Sequence, residues 1–302
     1  MSKIVVIGSL NMDLVIQTTY MPEMGETLIG HSFETIPGGK GANQATACAR
    51  LGGDVTIIGR VGNDEFGEAL TKSMKSFGVN TDGLMVDPNE RSGIAMIVVA
   101  QGDNMIVLSE GANAKVSIAD IESKKELIDE AEIILLQFEI PLETIRYVIK
   151  KYKDSKKIFL NPAPFRAVDD SMLRGLYTLV PNENEAEKLC GIKIDSEERA
   201  FEALEMLKEK GVLNPIITLG EKGAAYFDGQ VGKIMPANKV TPLDTTAAGD
   251  TFLGALAVAR LEGKKIDDSV EFAQKAAALA VSKYGAQTSI PSRKEVESFA
   301  KS

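Results

Sequence analysis

Histidine and cysteine are nearly absent from this 302-residue chain, and each scarcity removes a class of chemistry. With His31 as the only histidine, a Ser-His-Asp triad or a histidine metal site would have to be built on that one residue, and neither a nucleophile motif nor a ligand cluster accompanies it. His31 is expected on the surface or in a covering segment. The two cysteines, Cys48 and Cys190, lie far apart with no C-x-x-C pair, which argues for a reducing, cytoplasmic setting and for buried, inert thiols.

Basic charge is also short. The 34 Lys and Arg against 43 Asp and Glu leave a formal net charge of −9, and no local Lys/Arg block offsets it, so nucleic acid and anionic lipid are poor partners. Charges and glycines interrupt every apolar run before the ~20 residues that span a bilayer. The opening Met1-Ser2-Lys3-Ile4-Val5 leads into a strand-like segment rather than a signal peptide, and a soluble protein is the expectation. Two nucleotide fingerprints are missing as well. In Pro37-Gly38-Gly39-Lys40-Gly41-Ala42-Asn43 the lysine is followed by glycine, so this is no Walker A loop, and Gln44 occupies the last place of G-x-G-x-x-G, which sets aside a nicotinamide dehydrogenase.

What is present reads as alternating strands and helices. Ile4-Val5-Val6-Ile7-Gly8 is a buried strand, and a helix follows over 41–51, closed by Gly52-Gly53. Strands at 55–58, 133–136, 158–160, 179–180 and 216–219 alternate with helices at 65–77, 142–151, 183–189 and 197–210. Three more helical stretches begin near Ala248, Asp267 and Arg293. The fold class is α/β: a mostly parallel central sheet with helices on both faces, in one domain over 1–302. Two β-rich pieces near 12–36 and 91–108, the second a hairpin about Gln101-Gly102-Asp103-Asn104, make a small β-sheet appendage.

The segment Asp244-Thr245-Thr246-Ala247-Ala248-Gly249-Asp250 carries the sharpest chemical signal. Small residues opening a helix offer the amides of Ala247, Ala248 and Gly249 to an anion, because first-turn amides lack intrahelical partners. Asp250 then stands where it can take the proton of an attacking hydroxyl; the plainer reading is a first-turn acid that favours the helix dipole. The Gly39-Lys40 loop suits a polyhydroxylated ligand or an incoming phosphate. Asn11 and Asp13, in a loop after the first strand, and Glu139 after a later one, can bind hydroxyls or simply close turns.

Asn11 and Asp13, the Gly-Gly-Lys-Gly-Ala-Asn loop, Asn161-Pro162-Ala163-Pro164, Pro181-Asn182-Glu183, Thr218-Leu219-Gly220 and Asp244 to Asp250 occur together, in an order that resembles the ribokinase-like sugar kinase family over essentially the whole chain. That resemblance implies ATP-dependent phosphorylation of D-ribose at its 5-hydroxyl, with Asp250 as base and Ala247, Ala248 and Gly249 as its anion hole. It implies sugar contacts from Asn11, Asp13, Gly39, Lys40, Asn43, Glu139 and Asp250. Nucleotide contacts would come from Asn182, Thr218, Gly220, Gly223, Gly249 and Gln274, where Gln274 departs from the expected His or Asn beside the adenine. It further implies Mg2+ with the ATP, and a monovalent cation, usually K+, held by Asp244, Thr246, Ala280, Lys283, Gly285 and Ser289. The β appendage would be a lid that also pairs two subunits. Deoxyribose, fructose or adenosine as acceptor, or a sensor without catalysis, remain open alternatives.

Overall fold

In the computed structural model, which describes residues 3–229 and 231–299, all four residues of strand β1 (Ile4–Ile7) are buried. Ile4 and Val6 join one apolar cluster and Val5 and Ile7 another, so the strand needs an unbroken apolar run rather than alternation. It lies between β4 (Val55–Gly62) and β8 (Ile133–Gln137), parallel to both.

The remaining strands are β2 (Asn11–Gln17), β3 (Ser32–Gly38), β5 (Asn80–Asp87), β6 (Gly93–Ala100), β7 (Asp103–Ser109), β9 (Lys157–Asn161), β10 (Thr178–Leu179), β11 (Asn214–Thr218), β12 (Ala224–Phe227) and β13 (Gly232–Met235). The helices are α1 (Lys40–Arg50), α2 (Glu65–Ser76), α3 (Ile118–Ser123), α4 (Lys125–Glu130), α5 (Leu142–Tyr152), α6 (Asp170–Leu173), α7 (Glu183–Cys190), α8 (Glu197–Glu209), α9 (Ala248–Leu261), α10 (Ile266–Val281) and α11 (Arg293–Ser298). The central sheet runs β13-β12-β11-β10-β9-β8-β1-β4-β5, parallel from β5 to β11 and closed at one edge by the antiparallel β12–β13 pair. Side chains of α1, α9 and α10 cover one face; those of α5 and α8 cover the other.

The alternation expected from the sequence is present, with strands β5, β12 and β13 and the short helices α3, α4 and α6 added. Strand β5 is half-exposed and carries Asn, Asp and Gly, and β12–β13 is short and rich in Ala and Gly, so neither shows a strand period. The second sheet, ordered β3-β2-β6-β7, forms from the two β-rich segments. It is mixed: β2 pairs antiparallel with β3 but parallel with β6. Gln101 (φ 54°) and Gly102 (φ 84°) make the two-residue turn from β6 to β7 with both residues left-handed, as a right-twisted hairpin requires. One expectation is corrected here: Asn11 and Asp13 stand on β2 itself, because only Gly8, Ser9 and Leu10 separate β1 from the strand that enters the second sheet.

Helices α1 and α9 cross at Gly254, where an added Cβ would sit 2.5 Å from the Ala47 Cβ and 3.1 Å from the Gln44 carbonyl. The missing side chain sets how close the two helices lie. A Gly254→Ala substitution is expected to destabilise the fold by about 1–3 kcal/mol through overpacking, measurable by urea denaturation, and an unchanged midpoint would contradict this view of the crossing.

Candidate active site

The site grows from the turn between β1 and β2. Gly39 has φ +91°, and a Cβ there would lie 2.6 Å from the Asn11 nitrogen; one on Gly41 would lie 2.5 Å from the Ser9 nitrogen. Only glycine lets the start of α1 rest against that turn. The amides of Lys40 and Gly41 then donate to Glu139 Oε2 (3.1 Å) and Ser9 Oγ (3.3 Å), while Ser9 Oγ and Asn11 Nδ2 also donate to Glu139 Oε2 (2.5 and 3.4 Å). The Ala42 amide donates to the Ser9 carbonyl at 2.9 Å. A carboxylate thus already occupies the positive end of α1. Of the two ligands suggested for the glycine loop, a phosphate finds these amides engaged, and a hydroxylated ligand meets the Lys40 and Asn43 side chains instead.

Asn113, in the turn Gly111–Lys115, fixes this corner from over a hundred residues away. Its Oδ1 accepts from the Leu10 amide (2.9 Å), and its Nδ2 donates to the Leu10 carbonyl (3.0 Å) and to Asn11 Oδ1 (2.7 Å). Sequence reasoning singled out neither Asn113 nor Ser9, since contacts of that range leave no local pattern.

Across from this wall α9 begins. Ala247 caps it in the left-handed region (φ 59°), and Asp250 lies in its first turn, buried at 6% exposure. The Asp250 carboxylate accepts from Asn43 Nδ2 and Gln44 Nε2, both at 3.0 Å and both on α1. Asp250 is therefore more than a dipole-stabilising acid. Of the three proposed anion-hole amides, that of Ala248 makes a long 3.3 Å bond to the Thr245 carbonyl. Gly249 is in the first turn, where amides lack helical partners, and a Cβ there would meet nothing within 4 Å, so a ligand can approach.

Burial pushes the Asp13 carboxyl up to about 7, with the charges of Glu139 and Asp250 adding to the shift. Burial alone would lower the Lys40 ammonium, but Asp250, Glu139 and Glu185 outweigh it and hold the group above its usual value. Glu185, absent from the sequence candidates, is itself raised by burial and by the Asp250 charge, against the pull of the Asn182 amide, Lys40 and Lys188. Its signal was its place three residues after Asn182, with which it forms a capping box at the start of α7.

Asn182 and Thr218 are bridged neighbours at the ends of adjacent chain segments. Asn182 Oδ1 caps α7 by accepting from the Glu185 amide, so its Nδ2 is the group left to meet a ligand. Gly220 and Gly223 follow β11; a Cβ on Gly223 would lie 1.9 Å from the Met235 carbonyl, so that glycine is required by the β12–β13 hairpin as well. Gln274 is buried on α10. The cation candidates fall on the loop before α9 and on the last turn of α10 with the loop that follows it. Asp244 Oδ1 accepts from the Thr246 amide (2.8 Å) and its Oδ2 from the Gly285 amide (3.0 Å). The Ala280 carbonyl accepts from the Lys283 amide at 3.1 Å, and Ser289 Oγ donates to the Ala286 carbonyl at 2.8 Å. Lys283 pairs through its ammonium with Glu295, so only its backbone oxygen suits a cation. Among the described residues no group of three or more His, Cys, Asp or Glu is placed to hold a metal, and no helix is long and apolar enough to cross a membrane.

The residues apart from the site behave as their chemistry dictates. His31 is exposed and hydrogen-bonded to Thr19 Oγ1 at 2.9 Å. Burial pushes the thiols of Cys48 and Cys190 up to about 12 and 11.

A buried carboxylate at a helix N-terminus, gathered with polar side chains near the ends of parallel strands, is an arrangement suited to phosphoryl transfer to an alcohol. The chain belongs to the pfkB family of carbohydrate kinases, whose model matches residues 1–293. It is 43% identical to a ribokinase of Bacillus subtilis over 98% of this chain and 99% of that one. It is 36% identical to a deoxyribokinase of Salmonella typhi over 98% of each. Its fold superposes with a TM-score of 0.91 on a ribokinase of Arabidopsis thaliana complexed with ribose and ATP, at 33% identity and 99% coverage of both chains.

Because the folded pKa of Asp13 lies above the ordinary 3.8, the folded state holds an extra proton between these values and loses stability as pH rises through that window. Asp13→Asn removes the effect. Thermal unfolding should show the variant more stable than its parent at pH 8, with the gain shrinking toward pH 4; a gain that is constant with pH would contradict the buried-carboxylate origin.

Proposed function

We propose that this protein transfers the γ-phosphoryl group of ATP to the 5-hydroxyl of D-ribose. The observation that carries the reading is the buried Asp250 carboxylate, held by two amide donors at the start of α9 and facing Asn11, Asp13, Lys40, Asn43 and Glu139. In the step, Asp250 takes the hydroxyl proton, the freed oxygen bonds to the γ-phosphorus, and the bond to the β-phosphate oxygen breaks to release ADP. The first-turn amides of α9, with Gly249 open above them, receive the charge on the transferring group. Asn11, Asp13 and Glu139 accept hydrogen bonds from sugar hydroxyls, and Lys40 and Asn43 donate to them.

Nucleotide binding is assigned to Asn182, Thr218, Gly220, Gly223 and Gln274 on the far side of α9. Magnesium would ride on the β- and γ-phosphates, supplying charge neutralisation where no protein cage is built. The carboxylate and backbone oxygens around Asp244 fit a hard monovalent cation such as K+, beside the loop that starts α9. The second sheet acts as a lid over the sugar. Its edge strand β7 exposes Met105, Ile106 and Val107 by more than half, and a homodimer that joins these edges accounts for that apolar edge strand.

ADP formation from Mg-ATP, with D-ribose, deoxyribose, fructose and adenosine as acceptors and with or without K+, tests the reading. Ribose is expected to give the highest kcat/KM, with K+ raising turnover. A hundredfold preference for another acceptor would keep the chemistry and overturn the substrate, and tight binding of ribose and ATP without ADP would make the protein a sensor. Sedimentation should show a dimer that Ile106→Lys weakens; an unchanged monomer would contradict the edge pairing.

A further inference from the structure

Behind Asp250 lies a chain of two amides, of which the second, Gln137, has no part in the reaction as described. Gln137, at the end of β8, donates through Nε2 to Gln44 Oε1 at 2.6 Å, and Gln44 donates through its own Nε2 to Asp250 Oδ1 at 3.0 Å. Both glutamines are fully buried. The direction of every donor follows from one charge. An ionised carboxylate only accepts, so Gln44 must turn its nitrogen to Asp250 and its oxygen to Gln137, and Gln137 must answer with a nitrogen. Reversing either amide would set two oxygens against each other. At the far end Gln137 Oε1 has no hydrogen-bond partner and is pressed against Gly8, where a Cβ would come within 2.0 Å of it. A purely structural tie gains nothing from a buried acceptor left unmet; an apolar side chain of the same size would serve the packing better.

Resting on the kinase reading above, we propose that Gln137 and Gln44 are an orienting relay for the base. Gln137 fixes which end of the Gln44 amide faces Asp250, and so keeps a donor on Oδ1 and the carboxylate aimed at the substrate hydroxyl. Gln137 is a positioning residue that acts through Gln44, and Gly8 is the space that lets its amide lie in place.

Gln137→Met and Gln137→Glu test this differently. Methionine fills the volume and lets the Gln44 amide turn either way, so kcat should fall about tenfold and the acid limb of the kcat–pH profile should move up by about one pH unit, as loss of a donor to a carboxylate implies. Glutamate at 137 accepts from Gln44 and turns its oxygen toward Asp250, so the loss at neutral pH should be larger and partly recovered in alkali. In both, the KM for ribose should change less than threefold, and circular dichroism with the thermal midpoint reports folding. A folded Gln137→Met enzyme with the parent's kcat and pH profile overturns the relay; should that variant not fold, Gln137→Glu carries the reading, and a folded Gln44→Met enzyme with the parent's kcat and pH profile overturns it. The unsubstituted protein run alongside separates the claims. No turnover there with any acceptor overturns the kinase reading and the relay with it, whereas normal turnover there with unmoved profiles in the variants overturns the relay alone.

Discussion

The site depends on one contact between helices, the crossing of α1 and α9 at Gly254. Because no side chain intervenes there, Asn43 and Gln44, one turn before Ala47 and Cys48 on α1, come within 3.0 Å of Asp250, one turn before Gly254 on α9. The two helices belong to opposite ends of the chain, so sheet topology must bring them together before any chemistry exists. Burial of a carboxylate without partners would cost several kcal/mol; two amide donors and the positive end of α9 offset that cost. A carboxylate held in this way is fixed in position and shielded from water, which suits a base that must meet one particular hydroxyl.

A cleft that gathers Asp13, Glu139, Asp250 and Glu185 is an unexpected host for a nucleotide's phosphates. The balance is struck locally. Lys40, whose ammonium Asp250, Glu139 and Glu185 hold above its usual value against the effect of burial, opens α1 among them. Glu139 is neutralised in part by the start of α1, while the start of α9 is kept for the ligand. On the kinase reading proposed above, the acidic side chains would serve hydroxyl groups, and the phosphoryl group would meet the backbone amides that start α9. Asp13 retains a cost of this crowding, as its raised carboxyl shows.

Much of this was legible in the sequence. The unbroken apolar run of β1, the glycines of the α1 loop and the small-residue start of α9 each have a local cause, and their order along the chain points to the family from sequence alone. The edge strands β5 and β13, and β12 beside the latter, were not legible, because short strands without a clear period are held by tertiary pairing. Asn11 and Asp13 were placed in a loop because a three-residue turn into a second sheet cannot be told from a longer excursion. Ser9, Asn113, Gln44 and Gln137 escaped for a different reason. Each matters through a partner about thirty to over two hundred residues away, and nothing near it in sequence records that contact.

The most direct measurement is made on Asp250→Asn, with ADP release at saturating ribose and Mg-ATP, ribose binding by calorimetry and the thermal midpoint taken on one preparation. Asparagine keeps the shape and cannot take the proton. Turnover should fall by about 10²–10⁴-fold, while the fold persists and ribose still binds. Turnover close to the parent's would show that Asp250 is not the base, and the account of the site built upon it would fail.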